Sequence, residues 1–206
     1  MGRGNRLLKR NTLTKNVFSA WGNRMWEKLK FVTSNTDKVR EASDILECSL
    51  DQVSGLNIDE IQASDIEKIV AHKAQQAFDE LRCPVLVEDS GLIFTAWNGL
   101  PGALVKWFEL SVGCHGLLKM LEGFENREAF AVCVAVVFDG QEMLLAKGER
   151  KGEIARSMRG ENGFGWDVIF IPEHHEKTYA EMNFNEKNAI SHRRLAFEKL
   201  NRKMKI

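Results

Sequence analysis

Between Ser64 and Arg82 the chain reads S-D-I-E-K-I-V-A-H-K-A-Q-Q-A-F-D-E-L-R. Ser64 followed three residues later by Glu67 is a capping box, which predicts a helix beginning here. At ~100° per residue, Ile66, Ile69, Val70, Ala74, Ala77, Phe78 and Leu81 fall on one apolar arc. Lys73 falls inside that arc. A buried, unpaired ammonium is costly, so this helix must do one of two things. Either the lysine stem snorkels to the surface, or its charge meets an anion in a cleft. The rest of the chain favours the second, because further cations and carboxylates occur where an anionic, metal-bound substrate would need them.

A chain of 206 residues, 44% of them hydrophobic, suffices for one domain with a full core. No apolar run approaches the ~20 residues of a membrane span, so no membrane partner is expected. Cys48, Cys83, Cys114 and Cys133 are widely separated and form no C-x-x-C pair, which argues against a zinc site and a disulfide framework. Reduced cysteines suit a cytoplasmic setting. The net charge of zero hides an asymmetry: residues 1–28 hold seven Lys/Arg and one acid, the remainder 22 and 28. We therefore read residues 1–28 as a flexible basic extension and residues 29–206 as the domain. Leu13, Val17, Trp21 and Met25 recur at four-residue spacing in the extension. That leaves an organellar transit peptide as the alternative. An acidic body speaks against a nucleic-acid partner, which would call for a basic face.

Lys30–Thr33 reads as a short strand, turned by Ser34-Asn35 into a helix from about Thr36 to Glu47 with Val39, Ala42 and Leu46 inward. A strand or irregular crossing follows at Gln52–Ala63. Pro84–Val87 is an apolar run expected to end as a strand at Glu88-Asp89-Ser90-Gly91, with strand resuming over Leu92–Trp97. Asn98–Gly102 is a loop by its turn residues. Val105–Glu122 is helical, interrupted near Gly113 and Gly116. Ala129–Phe138 and Gln141–Lys147 are strands joined at Asp139-Gly140, a strong hairpin signal. Gly160–Gly165 is a loop, Val168–Ile171 a strand, and Ser191–Lys203 the last helix. The expected class is α/β with a mixed sheet.

Four segments carry polar groups suited to chemistry, each with an ordinary structural alternative. Thr33-Ser34-Asn35-Thr36-Asp37-Lys38 joins a strand end to a helix start, where backbone N–H groups, hydroxyls and a lysine can hold phosphate; it is otherwise an N-cap turn. Glu88-Asp89-Ser90-Gly91 offers hard oxygen ligands suited to Mg²⁺, or simply solvated acids, and Glu60 is a possible second ligand. Ser191-His192-Arg193-Arg194 opens a helix with cations that the macrodipole disfavours, so it tolerates a small cost or has an anion or carbonyl nearby. Gly163-Phe164-Gly165-Trp166-Asp167 can stack on a nucleobase or fill the core.

In order along the chain, these segments resemble the inosine triphosphate pyrophosphatase family. The resemblance rests on T-S-N-T-D-K at 33–38, V-E-D-S-G-L at 87–92, L-P-G at 100–102 and K-W-F at 106–108. It continues with G-F-G-W-D at 163–167, T-Y-A-E-M at 178–182 and E-K-N-A-I-S-H-R at 186–193. It implies an elongated mixed sheet with flanking helices, two lobes around a central substrate cleft, and a homodimer. The implied reaction is hydrolysis of ITP, dITP or XTP to the monophosphate and pyrophosphate with Mg²⁺, or Mn²⁺ in its place.

By position, the resemblance assigns Thr33, Ser34, Asn35, Thr36, Asp37 and Lys38 to the phosphates, with Lys73 and Lys187 as further cations. Glu60 and Asp89 would bind the metal, and Asp89 would also activate the attacking water. Ser90 and Lys106 are substrate contacts. Phe164, Gly165, Trp166 and Asp167 would flank base and sugar, and His192 and Arg193 the base. Two positions depart from the family pattern: Ser34 replaces a glycine and Val168 a proline. Competing functions are a septum-inhibitor-type pyrophosphatase acting on modified pyrimidine nucleotides and a non-enzymatic nucleotide- or RNA-binding module.

Overall fold

Strand β3 (Val85–Phe94) is the spine of the molecule, because one face carries two apolar clusters with a polar band between them. The computed structural model describes residues 26–205, so the expectations for residues 1–25 lie outside the described residues. Seven strands form one sheet in the order β2 (Asp51–Val53), β1 (Lys30–Val32), β3, β5 (Glu128–Phe138), β6 (Met143–Ile154) and β7 (Phe170–Pro172), with β4 (Pro101–Gly102) pairing β3. β2, β1 and β3 are parallel, while β3, β5, β6 and β7 run antiparallel, so the sheet is mixed as expected.

Strand alternation sorts the helices. Leu86 on β3 and Cys133, Ala135 and Val137 on β5 pack with α1 (Thr36–Leu46) and α5 (His192–Met204). Further along the same face, Leu92, Phe94, Ala129 and Ala131 pack with α3 (Val105–Met120). On the opposite face Val85, Val87, Val132 and Val134 meet α2 (Ile66–Leu81). Glu88 and Ser90 fall in the gap between the first two clusters, and Asp89 points to the α2 face.

Several sequence expectations need correction. β3 does not stop at Glu88-Asp89-Ser90-Gly91. It continues through to Phe94, because β5 pairs with it without interruption from Val85 to Phe94. The cap of α2 is Asp65, whose side chain accepts from Glu67 N, rather than Ser64. β6 runs to Ile154, well past Lys147, because it has β5 and then β7 to pair with. Gly165–Val168 forms a 3-10 turn, displacing the following strand to Phe170–Pro172. A short helix not foreseen, α4 (Phe184–Ile190), is capped reciprocally by Asn183 and Glu186. The Asp139-Gly140 hairpin forms as expected, with Asp139 accepting from the amides of Gln141 and Glu142. α3 is broken at Gly113, which adopts φ 65°.

The folded body begins before residue 29. Trp26 is 6% exposed, packs on Phe197 and donates from Nε1 to Asn201 Oδ1. The three residues Trp26–Lys28 therefore belong to the domain and not to the extension.

α5 lies so close to β6 that a Cβ on Gly148 would sit 2.1 Å from the His192 carbonyl oxygen and 2.3 Å from the Ala196 nitrogen. Overpacking of this kind costs about 1–3 kcal/mol. Gly148→Val is expected to lower the urea midpoint accordingly, and an unchanged midpoint would contradict this packing.

Candidate active site

The loop after β1 and the start of α1, the middle of β3, the first turn of α3 and the Phe164–Asp167 segment enclose a cleft of about 520 Å³. Adjacent residues of β3 serve it from opposite faces. Asp89 reaches the α2 side, where Lys73 Nζ donates to Asp89 Oδ2 at 2.8 Å and to Glu60 Oε1 at 2.7 Å. Lys73, only 15% exposed at its side chain, thus meets two carboxylates instead of snorkelling. Lys38, from the first turn of α1, bridges both faces: its Nζ lies 2.8 Å from Glu88 Oε1 and 3.4 Å from Asp89 Oδ1. Lys106 stands at the rim, 3.8 Å from Glu60.

These charges fix the protonation states. Burial pushes Asp89 upward, but Lys38 and Lys73 outweigh it and hold the carboxyl down at about 2. Burial is likewise overcome at Glu88 by Arg193 and Lys38, leaving it at about 2. The hydrogen bond from Lys73 lowers Glu60. Both Glu60 and Asp89 are therefore ionised hard-oxygen groups, and they converge on the Lys73 ammonium. Glu88 is engaged elsewhere, accepting from Cys133 Sγ at 3.0 Å and meeting Arg193 Nε at 3.4 Å.

The other end of the cleft is aromatic and rests on buried charge. Lys187 Nζ lies 2.7 Å from Glu41 Oε1 and 2.5 Å from Asp167 Oδ2, above the Phe164 ring at 4.6 Å. Arg193, 1% exposed, donates from Nη1 to Glu41 and from Nη2 to Ser90 Oγ at 3.1 Å. Asp167 Oδ2 also accepts from Phe164 N at 2.8 Å, which fixes the loop. His192 packs beside both Trp166 and Tyr179, with ring centroids 5.2 and 6.0 Å away. Burial and then the Arg193 charge drive its pKa well below the ordinary value, so its ring is neutral. Both ring nitrogens are buried without a hydrogen-bond partner. A neutral imidazole carries one donor and one acceptor, and buried polar atoms are ordinarily satisfied.

Most of the residues expected at a site line this one cleft, including Thr33, Ser34, Asn35, Lys38, Lys73 and Asp89. Three expectations change. Thr36 and Asp37 do not line the cleft, and Asp37 pairs with Arg40. The helix start is not an open amide cradle either, because Asn35 Oδ1 already accepts from the amides of Asp37 and Lys38 and Thr33 Oγ1 from that of Asn35. Lys187 is not a spare phosphate cation, since two carboxylates hold its ammonium below the surface. Glu41, Glu109 and Cys133 were missed, and Glu88, read with its segment as a possible metal ligand, is instead committed to Lys38, Arg193 and Cys133. None of the three missed residues carries a local signal in the sequence.

Residues 29–203 match the model of the Ham1 family. The chain is 46% identical over 176 residues to an inosine triphosphate pyrophosphatase of Aspergillus fumigatus, covering 84% of this chain and 92% of that one. It is 44% identical over 184 residues to a protein of the same name from Scheffersomyces stipitis, covering 82% and 94%. Among solved structures it is similar to a HAM1 protein from Coxiella burnetii, with a TM-score of 0.75, 31% identity, and 85% and 98% of the two chains covered. With a matching family model over most of its length, relatives above 40% identity and the same fold, this chain belongs to the Ham1 family.

Proposed function

We propose that the cleft hydrolyses purine nucleoside triphosphates bearing a C6 oxo group, such as ITP, dITP and XTP, to the monophosphate and pyrophosphate. The observation that carries this reading is the convergence of Glu60 and Asp89 on the Lys73 ammonium, next to Lys38 and across the cleft from an unsatisfied, neutral His192. Relatives named inosine triphosphate pyrophosphatase support it.

The residues present fit a Mg²⁺ ion. That metal is held by one or two carboxylates and otherwise keeps waters and substrate phosphates, and Glu60 and Asp89 are two ionised carboxylates brought together by the Lys73 ammonium they share. Bound there, the ion would supply positive charge that stabilises the departing pyrophosphate. Lys38 and Lys73 bind the phosphates from below and Lys106 from the rim. Asp89, held at about 2, is a weak base at neutral pH. Its part is to accept a hydrogen bond from the water that attacks the α-phosphorus and so orient it; as the new P–O bond forms and the bond to pyrophosphate breaks, the water's proton is given up to the departing pyrophosphate and solvent. At the aromatic end the base lies against the Phe164–Asp167 segment, and His192 and Arg193 offer donors to its C6 oxygen. Assembly as a homodimer belongs to the same proposal and is read by light scattering.

Pyrophosphate release from ITP in Mg²⁺ is expected to cease in EDTA and to return with Mg²⁺ or Mn²⁺; a rate indifferent to EDTA would contradict the metal assignment. Asp89→Asn is expected to reduce kcat on ITP by at least ~10²-fold, as for other groups that act on transition-state charge, with the thermal midpoint retained. Near-normal turnover in that variant would remove Asp89 from the mechanism. Adenine sets an amino donor against the donors that hold the C6 oxygen, and an unpaired buried donor costs about 1–3 kcal/mol. ITP is therefore expected to exceed ATP in kcat/KM by at least about tenfold. Equal values for the two would overturn the base assignment.

A further inference from the structure

The segment between β2 and α2 carries Glu60 to the cleft without helix or strand of its own. Among the described residues, its backbone from Ser54 to Ser64 makes two hydrogen bonds, and both go to one side chain. The amide of Asp59 donates to Gln76 Oε1 at 2.9 Å, and Gln76 Nε2 donates to the Asp59 carbonyl at 3.3 Å. A primary carboxamide carries an acceptor oxygen beside N–H donors. Gln76 therefore satisfies both backbone groups of a single residue, as a paired strand would.

Gln76 stands on α2 three residues after Lys73, so the two are neighbours on one face of that helix. They hold the segment at adjacent points and by different means. Lys73 donates to the Glu60 carboxylate at 2.7 Å, whereas Gln76 holds the backbone of the residue just before it. Upstream, Leu56 and Ile58 pack against the apolar cluster that β3 and β5 share with α2. Those contacts seat the segment, but apolar packing is non-directional and does not set the direction in which the chain leaves Ile58. The paired hydrogen bonds at Asp59 do.

We propose that Gln76 is a positioning residue for the metal site, fixing the backbone beside Glu60 so that this carboxylate is presented toward Asp89. This rests on the proposed role of Glu60 as a metal ligand. Lys73 cannot do the same work, because its ammonium draws on the carboxylate oxygen that a metal would need. Gln76 uses backbone groups alone, so its hold is the same whichever cation the carboxylate takes. Asp59 and Glu60 are both exposed, and hydrogen bonds at the surface add little to global stability. Partners that orient a metal ligand, in contrast, commonly change metal affinity by about 10–100-fold.

The test is binding of Mn²⁺ alone, followed by electron paramagnetic resonance. Gln76→Met keeps the length of the side chain and a good helix former while removing both hydrogen bonds. It is expected to weaken Mn²⁺ binding about tenfold with the urea midpoint nearly unchanged. In a Glu60→Gln background the same substitution is expected to alter Mn²⁺ binding by less than about twofold, because a residue acting through Glu60 is not additive with its loss. With ITP, the Mg²⁺ concentration for half-maximal rate is expected to rise about tenfold in Gln76→Met, while kcat at saturating Mg²⁺ stays within about twofold. Unchanged Mn²⁺ binding in Gln76→Met overturns the inference, as does an equal loss with and without the Glu60 carboxylate. Mg²⁺-dependent turnover in either event leaves the proposed function standing. If Glu60→Gln by itself leaves Mn²⁺ binding unaltered, the metal assignment fails and this inference fails with it.

Discussion

The structure depends on a buried chain of charges in which every member but Asp167, at one end, has two oppositely charged partners. Glu41 accepts from both Lys187 and Arg193, Arg193 also meets Glu88, Lys187 also meets Asp167, and Glu88 also meets Lys38. Apart from Lys38 these side chains are almost wholly inside. Removing ions from water costs several kcal/mol each, and a simple pair often fails to recover it. Here alternating signs and added donors compensate: Ser90 accepts from Arg193, Cys133 donates to Glu88, and the Phe164 amide donates to Asp167. The chain ties α1, β3, α4, α5 and the Phe164–Asp167 loop to one another, although these elements are scattered through the sequence.

This arrangement explains why the sheet face carrying α1, α3 and α5 has two apolar clusters instead of one. The polar band between them is the floor of the cleft. It also divides labour along β3. Glu88 faces the buried chain and is committed there, whereas Asp89, one residue on, faces α2 and remains ionised at the cleft. Lys38 contacts both and couples the buried network to the phosphate end. The two ends of the cleft thus share one electrostatic support.

What the sequence made legible follows the range of the interactions. The α2 periodicity exposed Lys73 as an anomaly, and the anomaly resolves as the clamp on Glu60 and Asp89. Short motifs located the aromatic loop and the start of α5, because their glycines, aromatics and clustered cations are local signals. Glu41 left no such signal. It sits on an ordinary helix beside Ala42, and its meaning lies in Lys187 and Arg193, roughly 150 residues away. The continuation of β3 was hidden for the same reason: a polar E-D-S-G segment reads as a strand end until a partner such as β5 is known to pair across it. Lys187 was assigned by position to phosphate, but only the fold reveals the two carboxylates that hold it. Glu109 was invisible because nothing in K-W-F-E-L indicates that α3 turns that residue toward Gly165.

The central claim is that the buried charge chain holds these elements together, and urea unfolding of Glu41→Leu tests it most directly. Removing the carboxylate leaves Lys187 with one partner, weakens the hold on Arg193, and breaks the chain at its middle. Breaking a buried pair by removing one member costs about 3–5 kcal/mol, and the account predicts a loss of that size in unfolding free energy. A loss below about 1 kcal/mol, the scale of a surface ion pair, would contradict it.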